Sequence, residues 1–304
     1  MIGYDYLDII QRNIGVITKE DQEKLSKITI GLAGVGAIGS LAGKLAARLG
    51  VKSIICIDRD VYDVSNLNRQ MNARLDTIDV QKSVAAKKLY EEINPNVKVI
   101  SHVADCKTVE QTAELLKGSD YVITGIDNTA GRIIFARACR QLGIPNIVGG
   151  PIGWKMLVGT FMPDGITYEQ FVTPIADGKE LDFDMQKRLE ILQSIFFACC
   201  NCFNPDFVED HLRGKPFTAV TWIPNMIACY SIAEIVKLEL GRGETFITPK
   251  TFAIDTLSGK FWNVKEKGEA AMKVMMVFEK EGREAAIKYW KENVYNEGES
   301  VYGC

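Results

Sequence analysis

IGLAGVGAIGSLAG, residues 30–43, places glycine at 34, 36 and 39 in the spacing G-x-G-x-x-G. An apolar run at 28–32 leads into it, and a helical pattern at 38–49 follows, closed by Gly50. The next apolar run, 53–58, ends in Asp58, about 20 residues beyond the glycines. A strand, a glycine turn, a helix and a second strand ending in an acid form the local context of a dinucleotide-type fold. Glycines let a backbone approach a phosphate closely, and a helix N-terminus favours its charge. An acid at the second strand's end suits ribose hydroxyls. The stretch therefore predicts a nucleotide site, with a redox cofactor and ATP both open.

The alternation continues outward. A helix over 80–92 precedes a strand at 97–102, a helix over 108–116 a strand at 120–127, and a helix over 129–141 a strand at 144–150. The predicted fold class is α/β: a Rossmann-like, mostly parallel sheet with flanking helices, extended by a smaller mixed C-terminal part. Asp58 and Asp127 fall at the predicted carboxyl ends of strands, where such sheets bind ligands. Further on, a strand is expected at 155–163, a helix near 184–198, a hairpin of 251–256 with 260–265, and a helical region over 266–292.

Bulk numbers narrow the classes. With 304 residues, 47% of them hydrophobic, the chain can build one large domain or two small ones. Lys plus Arg number 36 against 39 Asp plus Glu, and a net charge of −3 argues against broad coating of nucleic acid. MIGYDYLDIIQRN at the start is neither basic nor continuously apolar, and no run of 18 apolar residues occurs, so neither a signal peptide nor a membrane span is expected. Eight scattered cysteines fit free thiols in a reducing cytoplasm better than a disulfide framework.

DRDVYDVSNLNRQ, 58–70, separates the two nucleotide readings. A plain NAD domain needs only a short link after its ribose acid. Here Asn66, Asn68, Arg69 and Gln70 crowd into five positions, and Lys82 follows at the start of the next helix. Arg can clamp a pair of phosphate oxygens and Lys can offer a mobile point charge. Asp127 can bring Mg²⁺ to the same phosphates. Composition alone also allows an ordinary solvated loop.

With these residues in hand, the chain resembles the E1-like adenylating superfamily, the ThiF/MoeB/HesA proteins related to ubiquitin-activating enzymes. The resemblance rests on GVGAIG at 34–39, CIDRDVYDVSNLNRQ at 56–70, the lysine of DVQKS at 79–83, INPNV at 93–97, GIDNTAGR at 125–132 and TWIPNMIACYSIAEIVKLELG at 221–241. Together these span roughly 12–260 and set aside a simple dehydrogenase. The resemblance implies that Gly34, Gly36 and Gly39 line the ATP phosphates, with Ala37 where many members have glycine. It implies that Asp58 holds the ribose, that Asn66, Arg69, Gln70 and Lys82 contact nucleotide and phosphates, and that Asp127 supports Mg²⁺ and acyl-adenylation. Arg12, in QRNIG, resembles an arginine that reaches into a partner subunit's ATP site, which implies a homodimer.

The implied division is 1–27 as an N-terminal helical segment, 28–150 as the ATP-binding core, 151–265 as crossover and C-terminal part of the adenylating domain, and 266–304 as a helical extension. The implied reaction is ATP-dependent activation of a carboxylate, above all the C-terminus of a small ubiquitin-like carrier protein or a peptide. Two alternatives stand beside it: a tRNA threonylcarbamoyladenosine dehydratase-like enzyme, suggested by RNIG at 12–15, and a non-catalytic scaffold. The structural-zinc cysteines of many members are not matched, since the crossover has no cysteine and Cys304 stands alone. ACCNC at 198–202 is open to metal binding with His211, to thiol chemistry, or to helix packing. Trp154, Trp222, Phe196 and Phe197 are candidates for an acceptor cleft or for core, and His102 and His211 are placed at a strand end and in a loop.

Overall fold

A computed structural model describes residues 5–203, 205–212 and 218–295, so Cys304 lies outside the described residues. Three of the parallel strands are buried along their whole length: β1 (Thr29–Ala33), β2 (Ser53–Ile57) and β4 (Tyr121–Thr124). Such runs show no alternation because helices cover both faces of the sheet. With β3 (Lys98–His102), β5 (Asn146–Ile152), β6 (Lys155–Phe161) and β7 (Phe252–Asp255) they form one seven-stranded sheet of order β3-β2-β1-β4-β5-β6-β7. The pairs from β3 through β5 are parallel, and β6 and β7 add antiparallel. The expected α/β fold with a mostly parallel sheet is what forms.

Short helices open the chain: α1 (Tyr6–Ile10), a 3-10 turn at Gln11–Asn13, and α2 (Lys19–Leu25), whose Thr18 and Asp21 form a capping box. One sheet face carries α3 (Ala37–Leu49), α4 (Lys82–Ile93) and α10 (Trp222–Leu240), and the other carries α5 (Val109–Leu116) and α6 (Thr129–Leu142). Helix α10 packs beside α3 and over β5 and β6, with Ile223, Ile227, Ala228 and Ile235 sealed from solvent. At Gly149 a Cβ would stand 2.1 Å from the Ile227 Cγ2, so glycine there sets how closely α10 approaches β5.

After β6 come α7 (Tyr168–Val172), α8 (Phe183–Cys199) and α9 (Pro205–Leu212), and α11 (Val264–Glu281) and α12 (Arg283–Asn293) pack beside α8 in a separate apolar cluster around Trp290. Two expectations change. The helical region at 266–292 is two helices, broken at Gly282 with φ +87°. The hairpin has one strand only: its second arm gives a single bridge, Phe261 to Ile254, before α11 begins. Among the described residues no helix is long and apolar enough to cross a membrane.

Candidate active site

Strands β1 and β4 are neighbours although β2 and β3 lie between them in sequence, so the sheet order reverses at their junction. Crevices outside the carboxyl ends of strands open at such points. The loop after β4 meets the end of β1, and the loop after β1 meets the end of β2: Gly125 N donates to Ala33 O at 2.9 Å, and Gly34 N donates to Ile57 O at 2.9 Å. The three glycines differ in what requires them. Gly34 has φ +86°, a left-handed backbone. A Cβ on Gly39 would fall 2.0 Å from the Gly34 carbonyl oxygen, which no side chain survives. A Cβ on Gly36 would meet only the Gln70 amide, at 3.8 Å, so the protein itself leaves room for one there. The space above Gly36 suits a ligand atom. No side chain caps α3, and its first helical bond is Ser40 N to Gly36 O at 3.0 Å. The N–H groups of Ala37, Ile38 and Gly39 therefore have no helical acceptor, a donor cluster of the kind that receives phosphate.

The 58–70 segment is pinned across this loop. Asp58 Oδ2 accepts from Val35 N at 2.7 Å and its Oδ1 from Asp60 N at 2.9 Å. Burial pushes the Asp58 carboxyl above its ordinary range, and these two backbone donors pull partly against that. Tyr62, fully buried, donates to Val35 O at 3.1 Å. Asn66 is sealed in a 3-10 turn where its Oδ1 accepts from Asp63 N at 3.3 Å, so its side chain shapes the segment. Arg69 is half-buried, and its NH1 donates to Ser65 O at 3.0 Å and Asn68 Oδ1 at 2.7 Å. Its other guanidinium nitrogens make no hydrogen bond among the described residues. Gln70 is 7% exposed with a buried Oε1 that has no donor, beside Gly36. Lys82, also 7% exposed, approaches Asp60 Oδ2 at 3.3 Å and stands 5.9 Å from the Tyr62 ring centroid. A buried ammonium with one long carboxylate contact is a cation held ready for another anion.

Asp127 departs from its expected position. Strand β4 ends at Thr124, and Asp127 lies three residues further, in the loop before α6. The glycine pair Gly34 and Gly125 bring the two loops so close that a Cβ on Gly34 would stand 3.2 Å from Gly125 O, and strand pairing cannot continue past that contact. The Asp127 carboxylate is exposed and accepts no hydrogen bond among the described residues. Arg132 Nε donates to Ile126 O at 2.6 Å, and Gln193 Nε2, from α8, donates to Asp127 O at 3.1 Å.

Arg12 does not join this assembly. It is exposed on the 3-10 turn after α1, and α1 sits at the opposite end of α3, where Tyr6 Oη donates to Gly50 O at 2.8 Å. Trp154 and Trp222 pair at 4.9 Å between centroids, and Trp222 remains exposed. Phe196 and Phe197 pack into the C-terminal helix cluster. His102 ends β3 as expected, whereas His211 lies on α9, its ring parallel to Phe207, and not in a loop. Cys199 and Cys202 stand in C-x-x-C spacing, but both are buried with Cys200 at the end of α8. Burial pushes Cys199 up to about 12 and Cys202 up to about 11. Such thiols stay protonated at neutral pH and behave as packing groups. Among the described residues no three His, Cys, Asp or Glu side chains group as a metal site.

Several site residues escaped the sequence reading. Asp60 had a signal, two positions after Asp58 and before a lysine-led helix. Gln193 had none, lying on a helix 66 positions from the Asp127 it bonds. The link from Thr221 Oγ1 to Asn68 O, which ties the start of α10 to the nucleotide segment, was also invisible in sequence.

Comparison with known proteins gives the following. The model of the ThiF family matches residues 10–273. A tRNA threonylcarbamoyladenosine dehydratase of Bacillus subtilis is 36% identical over 138 residues, covering 45% of this chain and 54% of that protein. The chain thus spans about half the length of that relative. The SAMP-activating enzyme E1 of Haloferax volcanii is 30% identical over 231 residues, covering 74% of this chain and 72% of that enzyme. The crystal structure of E. coli MccB with AMPCPP and MccA shares the fold, with a TM-score of 0.61 and 20% identity over 79% of this chain and 64% of that one.

Proposed function

The chain belongs to the ThiF family, and on that premise we propose that it is an ATP- and Mg²⁺-dependent adenylyltransferase acting on the C-terminal carboxylate of a small carrier protein or peptide. The observation that carries the reading is the pinning of 58–70 over the glycine loop. It sets an open cradle at Gly36 and two cations, Arg69 and Lys82, around one crevice. These groups fit a triphosphate. The exposed, unbonded Asp127 carboxylate at the same crevice fits Mg²⁺, which takes one or two carboxylates together with substrate phosphates.

A carboxylate is already ionised near pH 7, so no protein base is required. Its oxygen forms a bond to the α-phosphorus, the bond from that phosphorus to the bridging oxygen breaks, and pyrophosphate leaves with the electron pair. The product is an acyl-adenylate. The chain's work is positioning and offsetting phosphate charge. Gly36 and the α3 N-terminus seat the phosphates, Arg69 and Lys82 face their oxygens, and Asp58 keeps spare lone pairs for ribose hydroxyls. Bound Mg²⁺ supplies further charge neutralisation at the phosphates.

A carrier protein or peptide is favoured because the H. volcanii relative, a SAMP-activating enzyme, aligns over most of both chains. The B. subtilis dehydratase supports a second reading, a modified tRNA nucleoside, which the net charge of −3 disfavours. Three charged groups kept together, Arg69, Lys82 and Asp127, argue against a scaffold without turnover. The site is shared in a homodimer, each Arg12 serving the neighbouring chain.

The test has two arms. Calorimetric titration with Mg²⁺-ATP and with NAD is expected to give heat for ATP alone, and NAD binding without ATP binding sinks the reading. Pyrophosphate exchange is then run with carrier-protein C-terminal peptides and with threonylcarbamoylated tRNA. Exchange with tRNA only would transfer the chain to the second reading.

A further inference from the structure

We propose that Gln193 of α8 is a positioning residue for Asp127, setting the direction of the carboxylate that meets Mg²⁺. The inference rests on the adenylation reading above. Two peptide planes flank the Asp127 Cα, and a side chain holds the carbonyl of each. Arg132 Nε donates to Ile126 O at 2.6 Å, and Gln193 Nε2 donates to Asp127 O at 3.1 Å. With both planes fixed, φ and ψ of Asp127 are fixed, and the Cα–Cβ direction follows. The side chain itself stays exposed and unbonded.

The Gln193 amide has no freedom to turn round. Thr129 Oγ1, in the first turn of α6, donates to Gln193 Oε1 at 2.6 Å. That bond takes the amide oxygen and leaves the amide N–H for a carbonyl, which can only accept. Asn128 caps the same turn, its Oδ1 accepting from Gly131 N at 2.6 Å, so Thr129 is fixed in its own place. The hydroxyl, the amide and the Asp127 carbonyl form one directed relay from the α6 N-terminus through α8 to the loop. Partners of this kind behind a metal ligand commonly change metal affinity by about 10–100-fold when removed.

The readout is Mn²⁺ binding, followed by electron paramagnetic resonance in the presence of α,β-methylene-ATP, with thermal unfolding and metal-free nucleotide binding recorded alongside. Gln193→Ala and Gln193→Met, the second keeping length and packing, are expected to weaken Mn²⁺ by about 10-fold or more while nucleotide binding without metal stays within about 2-fold. Thr129→Ser keeps the hydroxyl and is expected to bind Mn²⁺ like the unmodified chain, whereas Thr129→Val is expected to lose affinity. A residue that only docks α8 on α6 would lower the unfolding temperature and leave Mn²⁺ affinity alone. Wild-type Mn²⁺ affinity in folded Gln193→Met, with Asp127→Asn losing it, overturns the inference and spares the adenylation reading. If Asp127→Asn also binds Mn²⁺ normally, or the unmodified chain binds no nucleotide, the assigned role of Asp127 falls and this inference with it.

Discussion

Asp58 carries opposing demands in one side chain. Its two oxygens accept backbone bonds from Val35 and Asp60, yet burial raises its proton affinity in the folded chain. A carboxyl that holds its proton to higher pH when folded binds more protons in the native than in the unfolded state across that interval. Stability then falls as pH rises from the ordinary carboxylate range, about 3.9, through the raised folded value. Asp58→Asn cannot titrate. The stability of the unmodified chain minus that of Asp58→Asn, taken from urea unfolding between pH 4 and 7, is therefore expected to decrease with pH. An increase would mean that the backbone donors, and not burial, govern this group. Asp58 and Lys82 were legible in the sequence because they follow directly on a strand and begin a helix, positions fixed by local pattern. Asp127 was legible as a residue but misplaced, because the contact of Gly34 with Gly125 that stops β4 joins residues 91 positions apart.

Between strand and helix, the glycine loop separates two requirements that one motif spacing conceals. A methyl at 39 collides with backbone, the Gly34 carbonyl at 2.0 Å, and a methyl at 36 finds space. Gly39→Ala is expected to destabilise by about 1–3 kcal/mol or more, as overpacking against backbone does, or to prevent folding. Gly36→Ala is expected to unfold within a few degrees of the unmodified chain yet weaken ATP by about 10-fold, a loss near 1.4 kcal/mol. Thermal unfolding and calorimetry on both variants check the pair, and equal unfolding temperatures would refute the distinction. The end of α8 offers a second contrast. Cys199, Cys200 and Cys202 are buried, and Cys229 is exposed on α10. A disulfide reagent is expected to label Cys229 rapidly in the native chain and the three α8 thiols only in urea. Cys202→Ala should then leave pyrophosphate exchange within about 2-fold, since a buried protonated thiol is no nucleophile, and rapid labelling of Cys202 in the native chain would restore thiol chemistry there. The first five strands and their helices were readable because each βαβ unit writes its own period. The second half was readable in part: β6 and α8 form where local pattern placed them, whereas α10 mixes apolar residues with Glu234, Lys237 and Glu239 and shows no single apolar stripe. In the second hairpin arm Trp262 bonds the Met156 carbonyl of β6, a contact 106 positions apart that no local pattern encodes.

At the scale of the whole chain, the position of Arg12 is the strongest reason to expect two subunits. Tyr6 and Ile10 close around Gly50, at the end of α3 remote from Gly36. Helix α3 has 13 residues, so about 20 Å of helix separates that end from the phosphate cradle, further than an arginine side chain reaches. The platform beneath Arg12 is firm, since Asn13 Nδ2 donates to Gln22 Oε1 at 2.9 Å and Gln22 Nε2 donates to Leu49 O at 2.8 Å. Arg12 is exposed, and its guanidinium makes no hydrogen bond or ion pair among the described residues. Exposed Leu7 and Val16 flank it, apolar surface of the kind a subunit contact covers. A twofold dimer can deliver each arginine to the other chain's phosphates, as an arginine finger acts in trans. Mixing tests this directly. Arg12→Ala and Asp127→Ala chains are each expected to be nearly inactive alone. In a mixed dimer, one site combines intact Asp127 from the first chain with intact Arg12 from the second, and the other site lacks both. Random exchange makes half the dimers mixed, so activity is expected to recover to about one quarter of the unmodified level. No recovery, with subunit exchange confirmed by mass spectrometry, would take Arg12 out of the neighbouring site and leave the ATP crevice to a single chain.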